Sequence, residues 1–315
     1  MADGIYLPDG SFRSREKIIS DTYERGEVIN HTPLNVPFDF ARHQEIAIRR
    51  RDEKLEMEGY PCEIDLEIPT DVPIVIGFFG DTHTGGRYSD YELMGRHVNL
   101  LGDHPLFYTA LMGDLREGFF FNPAQNEQIL DFDEQFAHTM AMIRRVQERL
   151  LFSLKGQHDV WEGKMGTDIY RNIRDQFGKH VLQGTSVVRV KVGDIVYTLV
   201  VSHNFPGFSM YNKVHGSSRT SRFHMQGGDA YIQGDSHQKG VAQQFSNDVE
   251  GGRQQLFITT GPYKYSDEYA RKKGYAQQRE QELGAVWVRF DPHRKQMTPY
   301  WSSEEAVDSV SKYLA

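Results

Sequence analysis

An apolar run, Val72-Pro73-Ile74-Val75-Ile76-Gly77-Phe78-Phe79, leads straight into Gly80-Asp81-Thr82-His83-Thr84-Gly85-Gly86. A short apolar run bounded by turn residues reads as a buried parallel strand. An Asp and a His two apart on the turn that leaves such a strand project from its carboxyl end, where open α/β sheets place their ligands. Together they can hold one metal ion.

Four further blocks follow in order, most of them after another strand-like run. Leu106 to Met112 ends in Gly113-Asp114-Leu115-Arg116-Glu117, and Leu150 to Leu154 is followed by Gly156-Gln157-His158-Asp159. Ile195 to Val201 ends in Ser202-His203-Asn204, and Ala230 to Gln233 in Gly234-Asp235-Ser236-His237. Asp-x-His alone is a weak signal, but five ligand-rich blocks in one order form a specific set. The set resembles the calcineurin-like metallophosphoesterase family, whose pattern runs D-x-H, G-D-x-x-D/E, G-N-H-D/E, H, G-H-x-H. The resemblance covers Ile74 to Phe290, and the Asp-Thr-His-Thr-Gly start is similar to that of the DNA-repair nuclease branch.

The resemblance implies that Asp81, His83 and His237 hold a first divalent ion and that Asp114 bridges it to a second. At the second ion the family pattern departs: Gln157 and Asp235 stand where an Asn and a His are expected, beside His203. Gln keeps the amide oxygen on a longer arm, and Asp replaces a neutral imidazole by an anionic oxygen. Either the ion moves toward Asp235 or the second site stays weak. If it fills, carboxylate oxygen favours Mn²⁺ or Mg²⁺ over Zn²⁺, with Zn²⁺ or iron as alternatives. Two ions roughly 3.5 to 4 Å apart would activate a bridging water for in-line attack on phosphorus. His158 would then donate a proton to the leaving oxygen or stabilise the charge on it, Asp159 would orient or polarise it, and Glu117 would hold the loops.

Composition sets outer bounds. The chain has 315 residues with a net charge of -8, which argues against a surface that grips nucleic acid everywhere but permits a local basic patch. A single cysteine, Cys62, excludes an intramolecular disulfide and a multi-cysteine zinc site, so a reducing compartment is the simpler expectation. The N-terminus lacks an apolar signal region and no run reaches about eighteen apolar residues, so a soluble, cytoplasmic protein with no membrane contact is expected.

Residues 1–70 read as an N-terminal extension that could dock a protein partner. It has a turn at Pro8-Asp9-Gly10 and a helix from Phe40 to Glu58, with Asp39 as N-cap and Phe40, Ala47, Ile48 and Leu55 on one side. Residues 71–301 read as the catalytic domain and 302–315 as a C-terminal helix. Ser89 and Glu92 form a capping box for a helix through Leu101, and Ile129 to Leu150 show one amphipathic face. A third helix runs from Thr167 to a stop at Gly178. From Thr185 the period changes to two. Crossover units followed by hairpins give a four-layer αββα sandwich of two mixed sheets, the fold that the resemblance also implies.

Two loops carry cations beside aromatics. Residues 207–228 contain Lys213, Arg219 and Arg222, no Asp or Glu, and Phe208, Tyr211 and Phe223. Lys264, Arg271, Lys272 and Lys273 lie beside Tyr263, Tyr265 and Tyr269. Such loops on the rim would bind flanking phosphates and stack bases, which makes Arg219 and Arg222 substrate-binding candidates for a phosphodiester, nucleic acid or nucleotide. The competing readings are a small-molecule phosphomonoesterase and a non-catalytic binding or scaffold protein with a degraded second site.

Overall fold

The computed structural model describes residues 4–6, 12–14, 40–57, 61–119, 126–162, 168–209, 211–248, 251–266, 268–272, 274 and 277–314. The chain divides into two compact units, 1–59 and 60–315. In the first, β1 (Gly4–Tyr6) pairs antiparallel with β2 (Phe12–Ser14), and α1 spans Phe40–Met57. Phe40 is 78% exposed, and Ala47 and Ile48 of the same expected apolar side are exposed too. Its expected cap, Asp39, and the turn at Pro8-Asp9-Gly10 lie outside the described residues.

The second unit holds two six-stranded mixed sheets. In the first sheet β4 (Ile74–Phe79), β5 (Phe107–Leu111), β6 (Leu150–Leu154) and β7 (His180–Leu182) run parallel, and β13 (Val286–Phe290) and β14 (Met297–Tyr300) extend it antiparallel beyond β4. In the second, β9 (Ile195–Ser202), β10 (Ala230–Gln233) and β12 (Gly251–Thr259) run parallel. β11 (Gly240–Asp248) flanks β12 antiparallel, while β8 (Ser186–Val192) flanks β9 antiparallel and carries β3 (Glu63–Ile68) parallel at the edge.

All six residues of β4 are buried because both faces of the strand are covered. Ile74, Ile76 and Phe78 face Val188, Val190, Leu199, Val201, Ile232 and Ile258 of the other sheet. Val75 and Phe79 face outward, onto α2 (Tyr91–Asp103), α3 (Phe132–Val146), α5 (Ile169–Phe177) and α8 (Ser303–Val310). Outside the second sheet, Val200, Tyr231 and Phe257 pack with Phe205 and Val214, where α6 (His215–Phe223) lies on β10 and β12. This is the expected αββα sandwich. Each large apolar side chain buried between its layers contributes roughly 1.5 to 3 kcal/mol.

Details differ from the sequence reading. β3 pairs with β8 inside the unit that runs from residue 60. The C-terminal helix buries Ala306 and Val310 in the outer core of the first sheet, so it belongs to the same unit. The N-cap of α2 is Asp90, whose carboxylate accepts from Leu93 N at 2.9 Å, while Ser89 Oγ donates to the His83 carbonyl. Ile129 lies before the Asp131–Glu134 capping box of α3 and is exposed. Asp168 and Gly178, the latter at φ 61°, bound α5. Among the described residues, no helix is long and apolar enough to cross a membrane.

Candidate metal centre

Both parallel triplets end on the same loops. Asp81 N donates to Gly113 O at 2.9 Å, and His83 N to Asp114 O at 3.1 Å, so the first two blocks continue the β4–β5 pairing past the strands. Gly234 N donates to His203 O at 2.9 Å in the other sheet. The two sheets are then tied together by His203 Nδ1 to Met112 O at 2.7 Å and by Asp235 N to Asp81 Oδ1 at 3.0 Å.

The backbone there is strained. Among the described residues, the non-glycine positions with positive φ are Asp81 (50°), His83 (44°), Asp114 (49°), Asp235 (59°) and His237 (51°). Every one is a candidate ligand. Such conformations cost roughly 1 kcal/mol or more each and persist where the surroundings over-determine them, typically at functional sites. The glycines that lead four of the five blocks have a steric reason as well. A Cβ at Gly156 would run into Asp114 Oδ1, and one at Gly113, itself at φ 98°, would stand 2.6 Å from His203 Nδ1.

Two overlapping ligand groups result, Asp81 with His83 and His237, and Asp81 with Asp114 and His203. His83 Nδ1 lies 2.9 Å from Glu117 Oε2 as a buried ion pair. Its Nε2 lies 3.0 Å from His237 Nε2. Two ring nitrogens bound at right angles to one ion, at about 2.1 Å each, would be about 3.0 Å apart, so the pair fits a shared cation. His203 commits Nδ1 to a carbonyl. Its Nε2 lies 3.2 Å from Asp114 Oδ2 and 3.7 Å from Asp235 Oδ1, yet is buried without a hydrogen bond.

Electrostatics point the same way. Burial pushes the Asp81 carboxyl up to about 7, with His203 opposing and Asp114 adding to the rise. Burial would lower His203, but the carboxylates beside it, Asp114 foremost, lift it to about 10. Burial would raise Asp114 too, and His203 overrides it to hold that carboxyl well below the usual range. A proton on His203 thus neutralises carboxylates crowded in a dry pocket, which is the task a divalent cation performs. The donor set fits such an ion.

The other candidates are placed as follows. Asp235 is 29% exposed at its side chain, beside His203. Gln157 opens the short helix α4 (Gln157–Glu162) but is exposed, and its amide makes no hydrogen bond to a ligand residue among the described residues. His158 donates from Nδ1 to the Glu117 carbonyl at 2.6 Å, and its ring stands edge-on to His83. Asp159 is engaged on the Asp114 side. Its carboxylate accepts from Asp114 N (2.8 Å), Gly156 N (3.0 Å), Leu115 N (3.2 Å) and Tyr170 Oη (2.5 Å), so it fixes the Asp114 loop instead. Asp81, rather than Asp114, is the carboxylate common to both groups.

Arg219, on α6, donates to Pro206 O and approaches His224 Nε2, and Arg222 is exposed on the same helix. The second basic loop is partly interior. Tyr263 is fully buried, with its hydroxyl 2.6 Å from His97 Nδ1, and so cannot stack on a base. Lys264 is buried too, 2.5 Å from Glu117 Oε1. Lys272 pairs with Glu268, Arg271 reaches Tyr88 Oη, and Lys273 and the Tyr269 side chain lie outside the described residues. The sequence reading missed the links from Thr260 Oγ1 to Asp81 and from Lys264 through Glu117 to His83.

The fold is an α/β sandwich, and the carboxylates and imidazoles gathered at the carboxyl ends of its parallel strands form a candidate metal site. No family model and no curated protein matches the chain. Solved structures do. Vps29 from Chaetomium thermophilum is 14% identical over 72% of this chain and 83% of its own, with a TM-score of 0.37. A metallophosphoesterase from Sphaerobacter thermophilus is 13% identical over 76% and 94%, with a TM-score of 0.36. The Pseudomonas putida nuclease MPE is 11% identical over 71% and 87%, with a TM-score of 0.32. What this chain can do chemically is decided by its own residues.

Proposed function

We propose that this chain is a metal-dependent phosphoesterase that hydrolyses a phosphodiester. The observation that carries this is the convergence of His83, His203 and His237 Nε2 atoms with Asp81 and Asp114, two of the rings being held from behind by Glu117 and Met112. Divalent cations bound there, Mn²⁺ or Mg²⁺ by the weight of carboxylate oxygen, would supply an activated water and neutralise phosphoryl oxygens. Asp81, Asp114, His83, His203 and His237 are the ligands, with Asp235 at the open side. His158 donates its Nδ1 hydrogen to the Glu117 carbonyl, so Nε2 can give a proton to the departing oxygen only from the doubly protonated ring, which burial and then His83 disfavour.

The phosphodiester class draws support from α6 and its flanks. Phe208, Tyr211 and Phe223 are exposed, Tyr211 at 98%, beside Arg219 and Arg222. Exposed rings and cations together suit an oligonucleotide or nucleotide. Reversing two charges in Arg219→Glu with Arg222→Glu should weaken oligonucleotide cleavage about tenfold or more at low salt and flatten its log–log salt slope by roughly 1.4, with a small diester dye unaffected. Equal effects on both substrates would reject that class.

Exposure of Gln157 favours a second reading, a non-catalytic binding protein with an incomplete second site and the N-terminal extension as its docking segment. Elemental analysis after equilibration with excess Mn²⁺, joined to assays on diester and monoester dyes, separates the two. The phosphoesterase requires bound metal and metal-dependent diester turnover. Failure to take up any ion would end it.

A further inference from the structure

We propose that Lys264 is a positioning residue that acts through Glu117 on two imidazoles of the site at once. The inference rests on the metal-dependent reading above and adds a residue to it. Lys264 is 4% exposed and Glu117 fully buried, with Nζ 2.5 Å from Oε1. The other carboxylate oxygen, Oε2, stands in ion-pair contact with His83 Nδ1 at 2.9 Å, while the main-chain carbonyl of the same residue accepts from His158 Nδ1 at 2.6 Å. One residue therefore fixes the back of a candidate metal ligand with its side chain and the back of the candidate proton donor with its backbone.

The lysine itself is fixed in turn. Its neighbour Tyr263 donates from N to Asp81 O at 2.9 Å and accepts from Asp90 N at 2.6 Å, and Tyr265 N donates to Tyr88 O at 3.0 Å. Lys264 also bridges Ser89 as an isolated antiparallel pair. The loop after β12 is thus laced to the loop after β4, and Nζ arrives at Glu117 with little freedom left to lose. A buried carboxylate that faces an imidazole and an ammonium is held as an anion in one orientation. Groups behind a metal ligand fix its ring and tautomer, and their removal typically lowers metal affinity 10- to 100-fold.

The test compares Lys264→Met, Lys264→Arg and the double variant Glu117→Gln with Lys264→Met. Mn²⁺ affinity is read by calorimetry and ligand geometry by the visible spectrum of bound Co²⁺. A relay through Glu117 predicts Mn²⁺ binding weakened about 10- to 100-fold and an altered Co²⁺ spectrum in Lys264→Met. Lys264→Arg should recover most of the loss. The double variant should recover part of it, because a Gln oxygen still faces His83 Nδ1 and no lone charge is buried. If Lys264→Met does not fold, a double variant that folds and binds Mn²⁺ supports the relay, and one that does neither overturns it. Wild-type Mn²⁺ affinity and Co²⁺ spectrum in folded Lys264→Met, or a double variant no better than Lys264→Met, would also overturn it. Those results leave the phosphoesterase reading standing, whereas a wild-type chain that binds no ion defeats both.

Discussion

The Asp81–His83–His237 group offers two imidazoles and one carboxylate, whereas the Asp81–Asp114–His203 group offers two carboxylates and one imidazole, with Asp235 only 3.7 Å from the same ring nitrogen. The first can carry one negative charge and the second two or three, around the carboxylate they have in common. That difference is visible without any ion: His203 is lifted to about 10, while His237 is pushed well below its usual value, first by burial and then by His83. The nitrogen-rich group suits a borderline ion, and the oxygen-rich group asks for a harder one. One centre with two unlike halves should therefore respond unequally to the loss of each ligand.

The largest effect should come from the shared carboxylate. Asp81→Ala removes a ligand and a charge from both halves, so Mn²⁺ content should fall by both ions and turnover by at least about a thousandfold, the equivalent of roughly 4 kcal/mol. Asp114→Ala should empty only the oxygen-rich half. The family resemblance implies instead that Asp114 is the bridge, and elemental analysis of the two purified variants decides between them. Loss of both ions in Asp114→Ala with one retained in Asp81→Ala would reverse the assignment; wild-type turnover of metal-free Asp114→Ala would end the metal mechanism.

His158 belongs to neither half, and its variant should show that. His158→Asn is expected to lower turnover about 10² to 10⁴-fold, the usual contribution of a positioned proton donor, while Mn²⁺ content stays at the wild-type value. The loss should shrink for a diester with a good leaving group, which needs little help from an acid. An equal loss on good and poor leaving groups, or loss of an ion, would place His158 elsewhere in the mechanism.

Much of this centre was legible in the sequence because the chemistry sits in glycine-led blocks at strand ends, where spacing and strand period carry the information. The rest depends on burial and direction, which spacing does not encode. Asp159 reads as a partner of His158 by adjacency, yet on the first turn of α4 it faces inward, to Asp114 N and Tyr170 Oη. Lys264 reads as one cation of a solvated cluster and is interior. In β3 the alternation of Glu63, Asp65 and Glu67 with Ile64, Leu66 and Ile68 is itself the pattern of a half-buried strand, a signal the sequence reading did not use, and Glu63 and Glu67 pair with Arg189 and Lys191 on β8. The helix α6 gave little signal, since Gly216, Ser217, Thr220 and Ser221 are poor helix formers; they are the buried positions, with Ser217 Oγ donating to Ile258 O.

The smallest expected effects test where the oxygen-rich half ends. Asp235 occupies a left-handed position at φ 59° within reach of His203 Nε2, and a His tolerates that backbone about as well as an Asp. Asp235→His exchanges a carboxylate oxygen for an imidazole nitrogen, so the ratio of Zn²⁺ to Mn²⁺ affinity should rise about tenfold or more. Gln157 is different: it is exposed, begins a helix, and directs no hydrogen bond to a ligand residue among the described residues. Gln157→Asn should then change the ratio by less than about twofold, within the range of an ordinary surface substitution. Competition calorimetry on both single variants and on the double variant measures the two contributions separately. A double variant that behaves as Asp235→His alone would confine the second half to Asp81, Asp114, His203 and Asp235. A large additional shift from Gln157→Asn would instead show that the start of α4 turns inward when the ion binds, and that the family's full ligand set is in use despite the longer side chain.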